Sequence, residues 1–189
     1  MDNALIVSSS EKSITFFTEM LRAASIGQIV VLGTCGEARR LLLERDFDLV
    51  LINAPLRDES GESLAGHIAS KGVSQVILVV KSEFFEEVSA LTEQTGVLTV
   101  AKPMNRTLFW AALRLAKSVG LRLKSMQSEN SKLKQKIEDI RIVDRAKCIL
   151  ISHLSMSEQE AHRYIEKQAM DMRTTRRAVA EGILKTYEN

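Results

Sequence analysis

Few residues in this chain are placed to do chemistry. Three short apolar runs end in polar side chains. ALIV at 4–7 is followed by Ser8 and Ser9, DLVLIN at 48–53 closes on Asn53, and VLTVA at 97–101 is followed by Lys102. Hydroxyls, an amide and an amine can exchange hydrogen bonds. They include no carboxylate, and hydroxyls without one are poor ligands for Mg²⁺. His67, His153 and His162 stand at no ligand or triad spacing. Cys35 and Cys148 are isolated thiols with no CxxC, so neither a disulfide framework nor a zinc site is expected, and a buried, inert Cys148 is the expected state. With no GxGxxG, P-loop or nucleophile elbow, no enzyme, cofactor or metal is expected.

The remaining constellation is basic. Up to about residue 113 the chain carries 10 Lys and Arg against 14 Asp and Glu, net −4; beyond it the count is 16 against 10, net +6. Arg145, Lys147, Arg163, Lys167, Arg173, Arg176 and Arg177 lie on the outer faces of helical patterns, with Tyr164 among them. Unpaired RNA bases are held by stacking on aromatic or guanidinium planes, so this half is the candidate polyanion binder, with Tyr164 either a stacker or a core residue.

The elements that must position these residues read clearly. Apolar, β-branched runs at 4–7, 28–32, 48–53, 75–80 and 97–101 predict buried strands. SITFFTEMLRAA, GEARRLLLERD, ESLAGHIAS and FFEEVSALTEQT predict helices between them, with a fifth helix opening after Pro103. The alternation predicts an α/β, doubly wound, five-stranded parallel sheet with its ligand edge at the carboxyl ends of the strands. From Phe109 the pattern becomes one long helix. Phe109, Ala112, Ala116, Val119, Leu123, Met126, Asn130, Leu133, Ile137 and Ile140 follow at spacings of three and four, the seam of a coiled coil. Only Gly120 weakens it, and Asn130 on the seam favours a parallel dimer in register. The competing expectation is that this helix packs on the sheet. After Ile140 the apolar positions slip to Val143, Ala146, Leu150 and His153, turning another face inward toward two short helices at 157–171 and 174–187. The first opens with a capping box, Ser157 to Glu160. Ala146, Ala161, Ala169, Ala178 and Ala180 are small enough for close helix packing.

Residues 3–116 resemble a response-regulator receiver domain. Lys102-Pro103 looks like the family's Lys-Pro pair, and Asn53 followed eight residues later by Gly61 matches the phosphorylation loop. The resemblance implies an aspartate at Asn53, two acidic Mg²⁺ ligands at Ser8 and Ser9, a hydroxyl at Val80 and an aromatic switch at Thr99. Only Lys102 of that set is present. The expectation is a pseudo-receiver fold (flavodoxin-like) that takes no phosphoryl group, with Lys102 donating to Asn53 and Ser8.

Residues 133–184 resemble an ANTAR domain, the RNA-binding module of certain transcription antiterminators. The matching elements are Ile142-Val143-Asp144, Ala146-Lys147, Leu150, Ser157-Glu158, Ala161, Ala169-Met170-Asp171, Arg173 and Val179-Ala180; Cys148 departs where the family has Gly. The family binds paired RNA hairpins, one unit per hairpin, and prevents a terminator from forming. The resemblance implies Lys147, Arg173, Thr174 and Arg177 as loop or phosphate contacts.

The expected organisation is a pseudo-receiver at 1–116, a coiled-coil linker helix at 117–141 and a small three-helix ANTAR domain at 142–189. The dimer seam falls on Leu123, Met126, Asn130, Leu133, Ile137 and Ile140. The expected function is a homodimeric antitermination regulator binding tandem hairpins in a leader transcript, with a sensor protein or small ligand at the receiver. A DNA-binding response regulator and a protein-binding adaptor are the alternatives. No apolar run reaches the roughly 18 residues of a membrane span, and the acidic, soon polar N-terminus is unlike a secretory signal, so a cytoplasmic location is expected.

Overall fold

The structure is a computed structural model that describes residues 1–187. Glu188 and Asn189, the end of the segment expected at 142–189, lie outside the described residues. The chain divides into two compact units, Met1–Lys124 and Ser125–Asn189.

The first unit alternates strands and helices in the expected order: β1 (Asn3–Val7), α1 (Glu11–Ala23), β2 (Gln28–Leu32), α2 (Cys35–Glu44), β3 (Leu49–Asn53), α3 (Glu62–Ser70), β4 (Gln75–Val80), α4 (Phe85–Thr92) and β5 (Leu98–Ala101). The strands form one parallel sheet in the order β2-β1-β3-β4-β5. Successive side chains of a strand point to opposite faces, so each central strand must feed two cores. Leu5, Val7, Val50, Ile52 and Leu78 pack with Ala38, Leu64, Ile68 and Val88 from α2, α3 and α4. Ala4, Ile6, Leu49, Leu51 and Ile77 pack on the other face with Phe17 and Leu21 of α1 and with Phe109 and Leu113. That is why LVLIN is apolar without alternation: all five residues are buried.

The fifth helix, α5, runs from Arg106 to Leu154 and belongs to both units. Its start corrects the seam. Phe109, Ala112 and Ala116 are buried in the sheet's second core and so are not coiled-coil positions. Beyond them Val119, Leu123, Met126, Leu133, Ile137 and Ile140 are exposed at 38% or more. Gly120, read from sequence as a mere weak point, is buried, and a Cβ there would meet Gln75 Cγ at 3.1 Å. A larger residue there would make the Gln75 side chain give by a few tenths of an ångström.

In the second unit α5 packs with α6 (Glu158–Asp171) and α7 (Arg176–Tyr187) around Ala146, Leu150, Ala161, Ile165 and Ala180. The capping box forms: Ser157 Oγ accepts from Glu160 N at 3.3 Å while Glu160 accepts from Ser157 N at 2.8 Å. Two expectations are corrected. His153 is exposed rather than inward, its ring 5.4 Å from that of Tyr187, and Ala178 is exposed on the outer face of α7.

Candidate functional site

At the carboxyl ends of β1 and β3, Asn53 and Ser8 are both buried, and the Asn53 amide donates to Ser8 Oγ at 2.9 Å. Ser8 Oγ also accepts from Ser10 N at 3.2 Å, which fixes the entry to α1. Ser9 beside it is half-buried. The carboxamide therefore closes on a hydroxyl where a phosphoryl-accepting site would hold three carboxylates and a metal. Lys102 does not make the expected bonds. Its Nζ donates to the carbonyl oxygen of Ala54 at 2.5 Å, because the ammonium reaches one residue past the strand end. Burial, and secondly the nearby Lys81, push the Lys102 pKa below the ordinary lysine range. Val80 is buried in the core, and Thr99 shares a hydroxyl contact of 2.8 Å with Thr92 instead of carrying an aromatic switch. Beside these groups a cavity of about 280 Å³ is lined by Ala54, Pro55, Val80, Lys81, Phe84 and Val88, among others.

The loop after Asn53 is tied down by residues that sequence reasoning missed. Asp58 accepts from the backbone N–H groups of Cys35 and Gly36, at 3.1 and 2.9 Å, so it caps α2 from a distant loop. The Gly36 N–H leads the contacts that hold the Asp58 carboxyl below its usual range. Glu59 pairs with both terminal nitrogens of Arg39, and that guanidinium holds Glu59 low as well. Partners twenty or more residues apart leave no local pattern in the sequence. Gly61 ends the loop at φ +98°, where a Cβ would meet Ile52 Cγ2 at 3.0 Å. The Gly at this spacing is a steric requirement.

In the second unit several of the basic residues are held by carboxylates. Lys147 is paired with Asp144 at 2.8 Å and Glu158 at 3.1 Å, with its side chain only 16% exposed, and these carboxylates raise its pKa. Arg177 bridges Asp139 at 2.8 Å and Glu181 at 2.7 Å, and Arg176 reaches Glu166 at 3.0 Å. Arg145, Arg163, Lys167, Arg173 and Thr174 are exposed, and Tyr164 is 39% exposed. Arg173 sits just past α6 at φ +50°, its N–H on Met170 O at 3.1 Å, while Thr174 N–H reaches Ala169 O at 2.9 Å. This αL cap projects Arg173 and Thr174 from the α6–α7 corner. A cavity of about 360 Å³ lies among Ile140, Val143, Lys147, His162, Thr175 and Arg176, among others. Cys148 is exposed, not buried as expected. Among the described residues there is no cluster of His, Cys, Asp and Glu that would hold a metal ion, and no helix is long and apolar enough to cross a membrane.

Residues 131–184 match the ANTAR domain family. The chain is 28% identical over 168 residues to the transcriptional regulatory protein PdtaR of Mycobacterium tuberculosis, covering 89% of this chain and 82% of that one. The first unit is similar to solved receiver domains. One is the signal receiver domain of an HD domain-containing protein from Pseudomonas fluorescens, at TM-score 0.54 and 23% identity over 68% of this chain and 91% of that one. Another is the response regulator TrrA of Thermotoga maritima with Mg²⁺ and BeF, at 0.53 and 20% over 61% and 99%. The chain carries an ANTAR domain at residues 131–184 and, in its first unit, a receiver fold. The ANTAR match begins at residue 131, so the domain takes in the C-terminal part of α5 together with α6 and α7. Its core residues Ala146, Leu150, Ala161 and Ala180 all fall within the matched span, whereas Asn53 and Lys102 belong to the first unit.

Proposed function

We propose that this ANTAR regulator binds paired hairpins in nascent RNA as a homodimer and lets transcription pass a terminator, with a receiver domain that takes no phosphoryl group. The observation that carries the reading is the packed ANTAR unit, whose α6–α7 corner presents Arg173 and Thr174 to solvent. Residues 117–141 act as the dimer stem through Leu123, Met126, Asn130, Leu133, Ile137 and Ile140, which supports the pairing because their apolar members are exposed. Arg145, Lys147, Tyr164, Arg173, Thr174, Arg176 and Arg177 form the RNA surface. Of these, Lys147, Arg176 and Arg177 exchange their present carboxylate partners for phosphates or serve to shape the corner. Asn53 and Ser8 satisfy each other, so the receiver answers to a sensor protein or small ligand, and the protein works in the cytoplasm.

The test is the affinity of untreated full-length protein for a two-hairpin RNA across several salt concentrations, with duplex DNA as competitor. Salt-dependent binding that DNA does not displace is expected, because neutralised phosphates release counterions. Equal displacement by DNA, or no binding at all, overturns the reading.

A further inference from the structure

We propose that the paired stem builds two equivalent grooves for nucleic-acid phosphates, each made by Lys132 and Lys136 of one protomer with Lys134 and Arg141 of the partner subunit. This rests on the RNA-binding dimer proposed above.

The charge points to α5. Residues 155–189 hold six Lys and Arg against six Asp and Glu, whereas residues 114–154 hold ten against four. The basic excess that suggested a polyanion binder therefore lies wholly on the long helix. Within the ANTAR unit Lys147, Arg176 and Arg177 are already paired with carboxylates. Lys132, Lys134 and Lys136 are exposed and have no hydrogen-bond or ion-pair partner among the described residues. Arg141 has one long contact, 3.9 Å to Glu138.

Helix geometry sorts these cations. Taking Asn130 and Ile137 as one class of seam position and Met126, Leu133 and Ile140 as the other, residue 136 directly precedes the first class, and residues 134 and 141 directly follow the second. At 3.6 residues per turn, Lys132 and Lys136 flank the seam on one side, and Lys134 and Arg141 flank it on the other. Parallel pairing lays the first flank of each helix against the second flank of its partner. The two-fold axis then makes two such grooves.

Two carboxylates oppose four cations in each groove. Glu129 faces Lys134 of the partner subunit, and Glu138 lies near Arg141 on the same helix. Asp139 is taken by Arg177 at 2.8 Å. Further along, Lys136 meets Arg141 of the partner subunit, a like-charge pair beside an apolar seam that an anion between them relieves. Three of the four groups are lysines, compact point charges suited to phosphate rather than to reading bases. The grooves supply affinity without sequence preference, and their number equals that of the paired hairpins.

The test uses full-length protein and a two-hairpin RNA titrated at increasing salt. Lys132→Gln, Lys134→Gln and Lys136→Gln combined lowers the slope of log affinity against log salt by about 4–5, since the two grooves of a dimer lose three lysines each and each phosphate contact contributes roughly 0.7–0.9. The same three positions changed to Arg keep the slope. Lys136→Gln alone tightens the RNA-free dimer, measured by sedimentation, while weakening RNA binding for every loop sequence tried. Wild-type binding with an unchanged slope in the triple Gln variant overturns the grooves and leaves the RNA reading standing. If the wild type binds no RNA but does bind an acidic polypeptide through the same lysines, the RNA reading and the RNA grooves fall together.

Discussion

At the scale of single residues, the Asn53 amide is satisfied by Ser8 and excluded from water, so replacing it changes more than one atom. Asn53→Asp restores an acceptor oxygen and nothing else: Ser8 and Ser9 still offer no carboxylate for Mg²⁺, and Lys102 stays on the Ala54 carbonyl. We expect the variant to take no phosphoryl group from acetyl phosphate in Mg²⁺, read by intact mass. A species heavier by one phosphoryl group would sink the pseudo-receiver reading. It also buries a carboxylate beside a hydroxyl, so its melting temperature falls at neutral pH, by the equivalent of about 1–3 kcal/mol for a buried polar group left poorly paired. The missing acids were legible in the sequence because a strand end fixes which side chain stands at the pocket. The partner of Lys102 was not, since strand spacing says nothing of how far a long side chain reaches. Asp58 and Glu59 were invisible for a further reason: they bond to α2, across twenty or more residues, with no periodicity to betray it.

Among the elements, α5 shows what a repeat can and cannot say. The three-and-four spacing of Phe109, Ala112 and Ala116 is the same as that of Leu133, Ile137 and Ile140, and both stretches are helical. The first stretch is buried against the sheet and the second is open to water. Periodicity reports that one face is apolar and leaves the identity of the covering partner to the rest of the chain. His153 misled for a related reason, because an imidazole at a seam position can end a helix as well as fill a core. For the exposed half, Asn130 is the residue that would set register in the proposed dimer. Asn130→Leu removes an exposed amide that the proposed pairing would bury, and should tighten self-association by about 1–3 kcal/mol at the cost of a single dimer state. Sedimentation equilibrium should then show stronger association with trimers or mixed registers. A variant that remains a uniform dimer of unchanged affinity would remove Asn130 from the seam.

For the whole molecule, the sheet with its two cores and the small ANTAR core are built from separate residues. The ANTAR unit is sealed by three alanines and two larger side chains, Leu150 and Ile165, so it is the weaker of the two. Thermal unfolding followed by calorimetry should resolve two transitions. The lower one should rise with protein concentration if the proposed stem couples it to dimer formation. One concentration-independent transition would contradict that. The aromatic residues make the same point measurable without a label. The single tryptophan, Trp110, is half-buried against Phe109 in the receiver unit, while both tyrosines, Tyr164 and Tyr187, lie in the ANTAR unit. Red-edge excitation therefore reports the receiver alone, and tyrosine emission the output domain alone. Evolution has left this chain with a separate optical reporter in each half, so a signal arriving at one and its effect on the other can be timed in a single cuvette.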